Sequence, residues 1–340
     1  MATNSMKALI EGFASQLQKA LAIAQKVNFS FKPDSIQQIV VTGLGGSGIG
    51  GNLLQFFAQD ILQVPVLVNK TYNLPTFVNK QTLVIASSFS GDTEETLYAL
   101  QEAIERQAQI LCITSGGKLL NIAKEKGFDY IQIPQESPCP RAFLGYSLIQ
   151  LMAVLKHFAP NFDLEHEVLH VCRQLELYRT QIQEEAQQLA KLFHKRLPIV
   201  YADERWYPAI LRLQQQINEN AKQLCHVNVF PEMNHNELVG WGLDKAQYRN
   251  IAVLMLRSNL DHPRVKIRMD ICKPIFAQKA AQVYEVSTHG QSYFEQMLYV
   301  IHLFDWASFY LAELNGVDAF PVDVINYLKS SLAKYESQAK

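Results

Sequence analysis

Leu9, Phe13, Leu17 and Leu21 recur at the three-to-four-residue spacing of one helical face, so the chain opens on an amphipathic helix. The period then shortens. Ile39-Val40-Val41-Thr42 is a β-branched run that stops at Gly43, and short runs of the same kind return at Val64–Val68, Thr82–Ser87, Gln109–Thr114 and Tyr130–Ile133. Asn52–Asp60 and Thr93–Gln107 lie between them with helical periodicity, and strands alternating with helices predict a parallel sheet covered on both faces. Residues 141–158 and 164–193 read as helices, the second polar enough to lie as a connector across the surface. The strand pattern restarts at Pro198–Ala202, followed by a helix over Tyr207–Lys222, strands at Asn228–Phe230, Ile251–Leu256 and Val283–Val286, and helices at 291–314 and 321–337. The expected fold is therefore α/β: two doubly wound parallel-sheet domains with flanking helices, spanning 1–155 and 156–340, the change-over falling within 155–195. Two halves of similar size imply a structural duplication, although no residue-level repeat links them.

A length of 340 residues agrees with two domains. Hydrophobic residues at 48% and charged residues at 19% are a globular composition without a disordered tract. Net charge is −1 with the charges scattered, which argues against nucleic acid as a partner. Cys112, Cys139, Cys172, Cys225 and Cys272 are odd in number and never spaced as C-x-x-C, the pattern of neither a disulfide framework nor a zinc site. No apolar run has the length of a membrane span and the N-terminus has no signal-peptide core, so the expected compartment is the cytoplasm.

Candidate chemistry begins at Gly43-Leu44-Gly45-Gly46-Ser47-Gly48-Ile49-Gly50-Gly51, between a strand and a helix. Unpaired N–H groups and the helix dipole favour an anion there. The spacing satisfies G-x-G-x-x-G, but the second strand ends Val68-Asn69-Lys70 without the carboxylate that would hold a dinucleotide ribose. No Lys-Ser or Lys-Thr follows, so a nucleoside triphosphate loop is excluded. A tight turn without ligand is the plainer alternative, yet glycines this dense exceed what one turn needs. Ser87-Ser88-Phe89-Ser90-Gly91-Asp92-Thr93-Glu94-Glu95-Thr96 lies between the next strand and helix. Capping by Asp92 with Glu95 reaching back explains two of these residues and leaves Ser88, Ser90 and Thr93 free to meet a phosphate at the strand ends. Thr114-Ser115-Gly116-Gly117 extends the same rim.

These three loops resemble the phosphosugar-binding sugar isomerase (SIS) domain, and the whole chain resembles the bifunctional phosphoglucose/phosphomannose isomerases of archaea and some bacteria, which carry two such domains. The resemblance implies that Gly46, Ser47, Ser88, Ser90 and Thr93 cradle a sugar phosphate. Glu219, in Asn218-Glu219-Asn220-Ala221-Lys222, is by itself an ordinary solvated helix residue. The family segment it matches supplies the catalytic base. His235, in Met233-Asn234-His235-Asn236-Glu237, would otherwise be a capping or surface histidine. The resemblance makes it the ring-opening residue, reaching across from a second subunit of a homodimer.

Arg141 matches the family arginine near the reacting oxygens, and Lys329 the lysine that the last helix brings to the sugar, with Lys334 as the solvated neighbour. Glu232 and Glu237 stand close enough to His235 to be alternative bases. The family ties a Thr just ahead of the last-helix lysine to mannose phosphate, and Phe320-Pro321-Val322 has none, which ranks the glucose activity first.

The expected reaction interconverts glucose 6-phosphate, and mannose 6-phosphate, with fructose 6-phosphate through a cis-enediol. Neither metal nor cofactor is called for, since the histidines lack ligand spacing. The competing readings are a non-catalytic sugar-phosphate sensor, for which no output module is visible, an isomerase domain of an amidotransferase, whose glutaminase is missing, and a dinucleotide-dependent dehydrogenase.

Overall fold

The computed structural model describes residues 5–336. Helices α1 (Met6–Glu11) and α2 (Phe13–Ala24) share the expected apolar face, broken at Gly12. The first sheet then forms from β1 (Gln38–Thr42), β2 (Val66–Asn69), β3 (Thr82–Ser87), β4 (Gln109–Thr114) and β5 (Asp129–Gln132), with α3 (Gly45–Ala58), α4 (Glu94–Glu105) and α5 (Gly117–Lys126) between them. Its order is β2-β1-β3-β4-β5, every pair parallel. Alternate strand residues divide the core: Ile39, Val41, Leu83, Ile85, Leu111 and Ile113 face α2, α3 and α6 (Leu144–Phe158), while Val40, Val84, Ala86 and Cys112 face α4 and α5. Burial on both faces is why these strands read as continuous apolar runs.

Two helices follow, α7 (Leu164–Leu177) and α8 (Arg179–Phe193), where the sequence predicted a single surface connector. Each has a buried stripe, with Val168, Val171 and Leu175 on α7 and Ile182, Ala186, Leu189 and Phe193 on α8. Their many polar residues occupy only the outer face.

The second sheet comprises β6 (Leu197–Asp203), β7 (His226–Phe230), β8 (Ile251–Arg257) and β9 (Gln282–Ser287), in the parallel order β7-β6-β8-β9. Its helices are α9 (Tyr207–Asn220), the short α10 (Lys245–Tyr248), α11 (Pro263–Lys279), α12 (Tyr293–Asn315) and α13 (Asp323–Glu336). One face of this sheet joins the first half's core through α8, α9 and α12 in a single cluster, and the other packs on α11. A shared helical layer thus lies between the sheets. Helix α11 has no counterpart in the sequence-based expectation. Its buried residues Val265, Met269, Cys272 and Phe276 are helically spaced, but exposed Ile267 and Ile271 on the opposite side and the internal Pro274 blur the contrast that would reveal them.

The strand order reverses between β1 and β3 in one sheet and between β6 and β8 in the other, and such switch points are where open α/β sheets bind ligands. The two crevices differ. At the second, buried Trp206 donates through Nε1 to Asp261 (2.8 Å), and the Asp203 carboxylate accepts N–H groups of Arg205 (3.1 Å) and His262 (3.0 Å). There the polar groups at the strand ends are partnered by one another.

No helix among the described residues is long and apolar enough to cross a membrane. Within α12, His302 stacks on Phe13 at 5.5 Å and accepts from Trp306 Nε1 at 3.2 Å. Burial pushes its pKa from 6.5 down to about 3. The unfolded chain therefore takes up this proton first, and stability falls as pH drops below about 6.5, by ~1.4 kcal/mol per unit until about pH 3. His302→Gln keeps an acceptor but cannot titrate. Urea unfolding at pH 7 and pH 5 should show the smaller loss of stability on acidification in the variant.

Helix α13 leaves Ile325, Leu328 and Leu332, spaced along one stripe, at 40%, 57% and 44% exposure.

Candidate active site

The glycine loop turns β1 into α3 at the open switch point. Gly45 adopts φ 53°, and the first turn of α3 presents N–H groups of Gly45 and Gly46 that have no intrahelical acceptor. Gly43 packs so tightly on the Ser87 carbonyl that a side chain there would meet it at 2.7 Å. Strand pairing of Thr42 with Ala86 makes this contact, so the hydroxyl loop after β3 lies directly beside the glycine loop. Ser47 and Ser88 are buried, Thr93 is half-buried and Ser90 is exposed. Ser88 Oγ lies 2.8 Å from Thr93 Oγ1 and accepts the Gly91 N–H at 3.1 Å.

The third loop braces the second. Ser115 donates to the Phe89 carbonyl at 2.5 Å, and the Leu119 N–H reaches the Gly91 carbonyl at 2.9 Å. Asp92 does not cap α4 as the sequence predicted. Thr93 holds that N-cap position, and the Asp92 carboxylate accepts the Lys118 N–H (3.0 Å) in the first turn of α5. Gly91 has φ 75°, and a Cβ on it would collide with the Gly116 carbonyl. Gly91→Ala should therefore cost about 2–4 kcal/mol from backbone strain plus overpacking, read as a lower urea midpoint at unchanged m value.

Arg141 joins these loops to the second half of the chain. It lies in a 3₁₀ turn (Pro140–Phe143) whose Phe143 stacks on Phe89 at 5.2 Å. A side chain at Gly46 would meet the Arg141 main chain at 3.4 Å. The guanidinium is 5% exposed. Its Nε donates to Asn220 Oδ1 (2.8 Å) and its Nη2 to the carbonyls of Ala319 (2.6 Å) and Phe320 (3.0 Å). Nη1 faces the Glu219 carboxylate at 3.6 Å. Glu219 is the residue before Asn220 near the end of α9, 27% exposed, and its carbonyl accepts from Lys222 Nζ at 2.5 Å. Lys222 also donates to the Pro321 carbonyl (2.7 Å), so two cations clasp the 319–321 segment against the end of α9. Burial lowers the pKa of this lysine.

The structure thus gathers Gly46, Ser47, Ser88, Ser90 and Thr93 on two adjacent loops and sets Arg141 between the first loop and Glu219. It does not bring His235 or Lys329 to them. His235 is exposed in the 3₁₀ turn after β7, and Lys329 is exposed on α13. Among the described residues, neither forms an ion pair or hydrogen bond with Glu219 or Arg141.

Glu237 is unsuited to be the base. Burial alone would raise its pKa, but hydrogen bonds from His226 (3.0 Å), Asn228 and Tyr201 (2.6 Å) outweigh burial and hold the carboxyl at about 2. Glu232 accepts from Asn236 at 2.8 Å on the surface. The sequence reading did not single out the polar partners beneath the site: Arg212, Gln216 and Asn220, one turn apart on α9, and Asp305 and Ser308 on α12. An aspartate inside the apolar run of 297–312 was the signal.

A glycine loop and a hydroxyl loop at one switch point, backed by a second sheet of like topology, define a two-unit sugar isomerase (SIS) protein. Residues 35–153 match the SIS domain, and residues 182–332 match the bacterial phospho-glucose isomerase C-terminal SIS domain. A bifunctional phosphoglucose/phosphomannose isomerase of Caldicellulosiruptor bescii is 42% identical over 94% of this chain and 96% of its own. One from Aquifex aeolicus is 36% identical over 87% and 91%. The chain belongs to the bifunctional phosphoglucose/phosphomannose isomerase family. The C-terminal domain of glucosamine-fructose-6-phosphate aminotransferase from Francisella tularensis shares the fold at TM-score 0.70 and 14% identity, covering 93% of this chain and 96% of that one.

Proposed function

We propose that the chain interconverts glucose 6-phosphate and mannose 6-phosphate with fructose 6-phosphate, with Glu219 as the base and Arg141 as the electrostatic partner of the enediolate. The observation that carries this reading is the Arg141–Glu219 pair at 3.6 Å, seated with its main chain against Gly46 of the glycine loop. A cation, a carboxylate and a phosphate cradle are the three parts that proton transfer beside a sugar carbonyl needs.

The phosphate docks on the N–H group of Gly46 and on the hydroxyls of Ser47, Ser88, Ser90 and Thr93. With the ring opened, Glu219 takes the C2 proton of the aldose, the two oxygens exchange a proton, and Glu219 returns its own to C1 to give the ketose. Arg141 commits Nε and Nη2 to protein acceptors, which leaves Nη1 to face the negative charge that passes between Glu219 and the sugar oxygens.

Ring opening falls to His235 and further sugar contacts to Lys329, both supplied by the partner in a homodimer. Their exposure in the single chain, and the apolar stripe on the helix that carries Lys329, support that assignment. A cytoplasmic location fits phosphorylated substrates. The test is turnover of fructose 6-phosphate after exhaustive chelation. Formation of both glucose 6-phosphate and mannose 6-phosphate is the expected result, and tight binding without either product would overturn the reading.

A further inference from the structure

Two routes of hydrogen bonds run from α12 to Arg141, one to its main chain and one to its side chain. Asp305, 5% exposed, holds Arg212, 2% exposed, through two parallel bonds: Nε to Oδ1 at 3.0 Å and Nη2 to Oδ2 at 2.7 Å. Arg212 Nη2 also donates to the Arg141 carbonyl at 3.1 Å. On the second route Ser308 donates to the Asp305 carbonyl (2.7 Å) and accepts from Asn220 Nδ2 (2.9 Å), and Asn220 Oδ1 takes the Arg141 Nε–H (2.8 Å). Gln216 completes the set by donating to Asp305 Oδ1 at 3.1 Å. A wholly buried ion pair is a poor source of net stability, because desolvating two charges offsets most of their attraction. Its geometry here has a different use. Only a guanidinium can grip a carboxylate with two donors and still reach a carbonyl in a fixed direction.

We propose that Arg212 and Asp305, with Ser308 and Asn220, are positioning residues that fix Arg141 at both its carbonyl and its guanidinium, so that Nη1 stays aimed at Glu219 and the reacting oxygens. This inference rests on the reading of Glu219 and Arg141 as catalytic. The phosphate cradle has supports of its own, since Gly43 of the glycine loop packs on the Ser87 carbonyl and the hydroxyl loop is braced by Ser115 and the first turn of α5, so that Arg141 beside Gly46 is one support among several. Losing the network therefore slows the chemical step and leaves phosphate affinity intact.

The experiment compares the full-length protein with Arg212→Lys and Ser308→Ala. Sites competent to bind are titrated with sorbitol 6-phosphate, a sugar phosphate without a carbonyl, and kcat is expressed per competent site, so unfolded protein does not count. Lysine keeps the charge and loses the fork, and kcat per site should fall about 10- to 100-fold, the scale of a 1 Å misplacement. Ser308→Ala cuts the second route without touching a charge and should lower kcat per site about 3- to 10-fold on the same reasoning. Sorbitol 6-phosphate affinity should stay within about threefold in both. If Arg212→Lys yields no competent sites, Ser308→Ala alone decides.

Unchanged kcat per site in the variants that fold overturns the proposal, as does a parallel loss of affinity, which would mean that the network only holds the two halves together. Glu219→Gln is run beside them. Full turnover by that variant would defeat the catalytic reading itself, whereas an inert Glu219→Gln with normal Arg212→Lys and Ser308→Ala would defeat only the positioning role.

Discussion

Glu219→Gln is expected to lower kcat by about 1,000- to 10,000-fold, at the upper end of what one acid–base group supplies, while sorbitol 6-phosphate still binds. The amide keeps the volume of the carboxyl, and the glycine and hydroxyl loops proposed to take the phosphate are held by bonds to β3, the third loop and α5 rather than by Glu219. Arg141 keeps three of its anchors, on Asn220, Ala319 and Phe320, so the site should not collapse. The loss should therefore appear in kcat with little change in substrate affinity. Exchange of the C2 proton of glucose 6-phosphate with deuterated solvent, followed by NMR, checks the step directly. Exchange at the rate of the unaltered protein would remove Glu219 from the role of base and reopen the search among the carboxylates near the loop.

The second large effect concerns two chains together. His235→Ala is expected to reduce turnover of the ring-closed sugar about 100-fold or more, as loss of a general acid does. Co-expressing His235→Ala chains with Glu219→Gln chains should recover roughly a quarter of normal activity, because random pairing makes half the dimers mixed and each mixed dimer has one intact site. Neither variant alone approaches that value. Recovery no greater than the sum of the two separate activities would place His235 in its own chain's site, and a loop rearrangement would then have to bring it there.

The strands were legible because each is a short β-branched run ended by a turn, and parallel strands buried on both faces leave that trace. The glycine loop and the hydroxyl loop were legible as neighbours at the strand ends for a related reason, since glycine density and clustered hydroxyls there have few structural uses. Helix α11 was obscured by Ile267 and Ile271 on its exposed side, which erase the amphipathic contrast. The Asp92 assignment failed because the sequence offers a cap to its own helix, whereas the chain folds back and gives it to the N–H of Lys118 in the neighbouring one. Glu219 and Arg141 could be named one at a time, but their proximity could not, because residues 141 and 219 meet only after both sheets have formed. Arg212 and Asp305 are separated still further in sequence, and a buried pair of that kind is written in packing rather than in spacing.

The stripe of Ile325, Leu328 and Leu332 along α13 carries a thermal consequence. If a second copy covers it, the joint is made by apolar contact, and such contacts weaken on cooling because the release of ordered water that drives them contributes less at low temperature. A dilute preparation kept on ice should lose specific activity slowly and regain it on warming, with concentration setting the temperature at which half is lost. Sites built from two chains would then make the catalyst sensitive to chill and dilution while each chain remains folded.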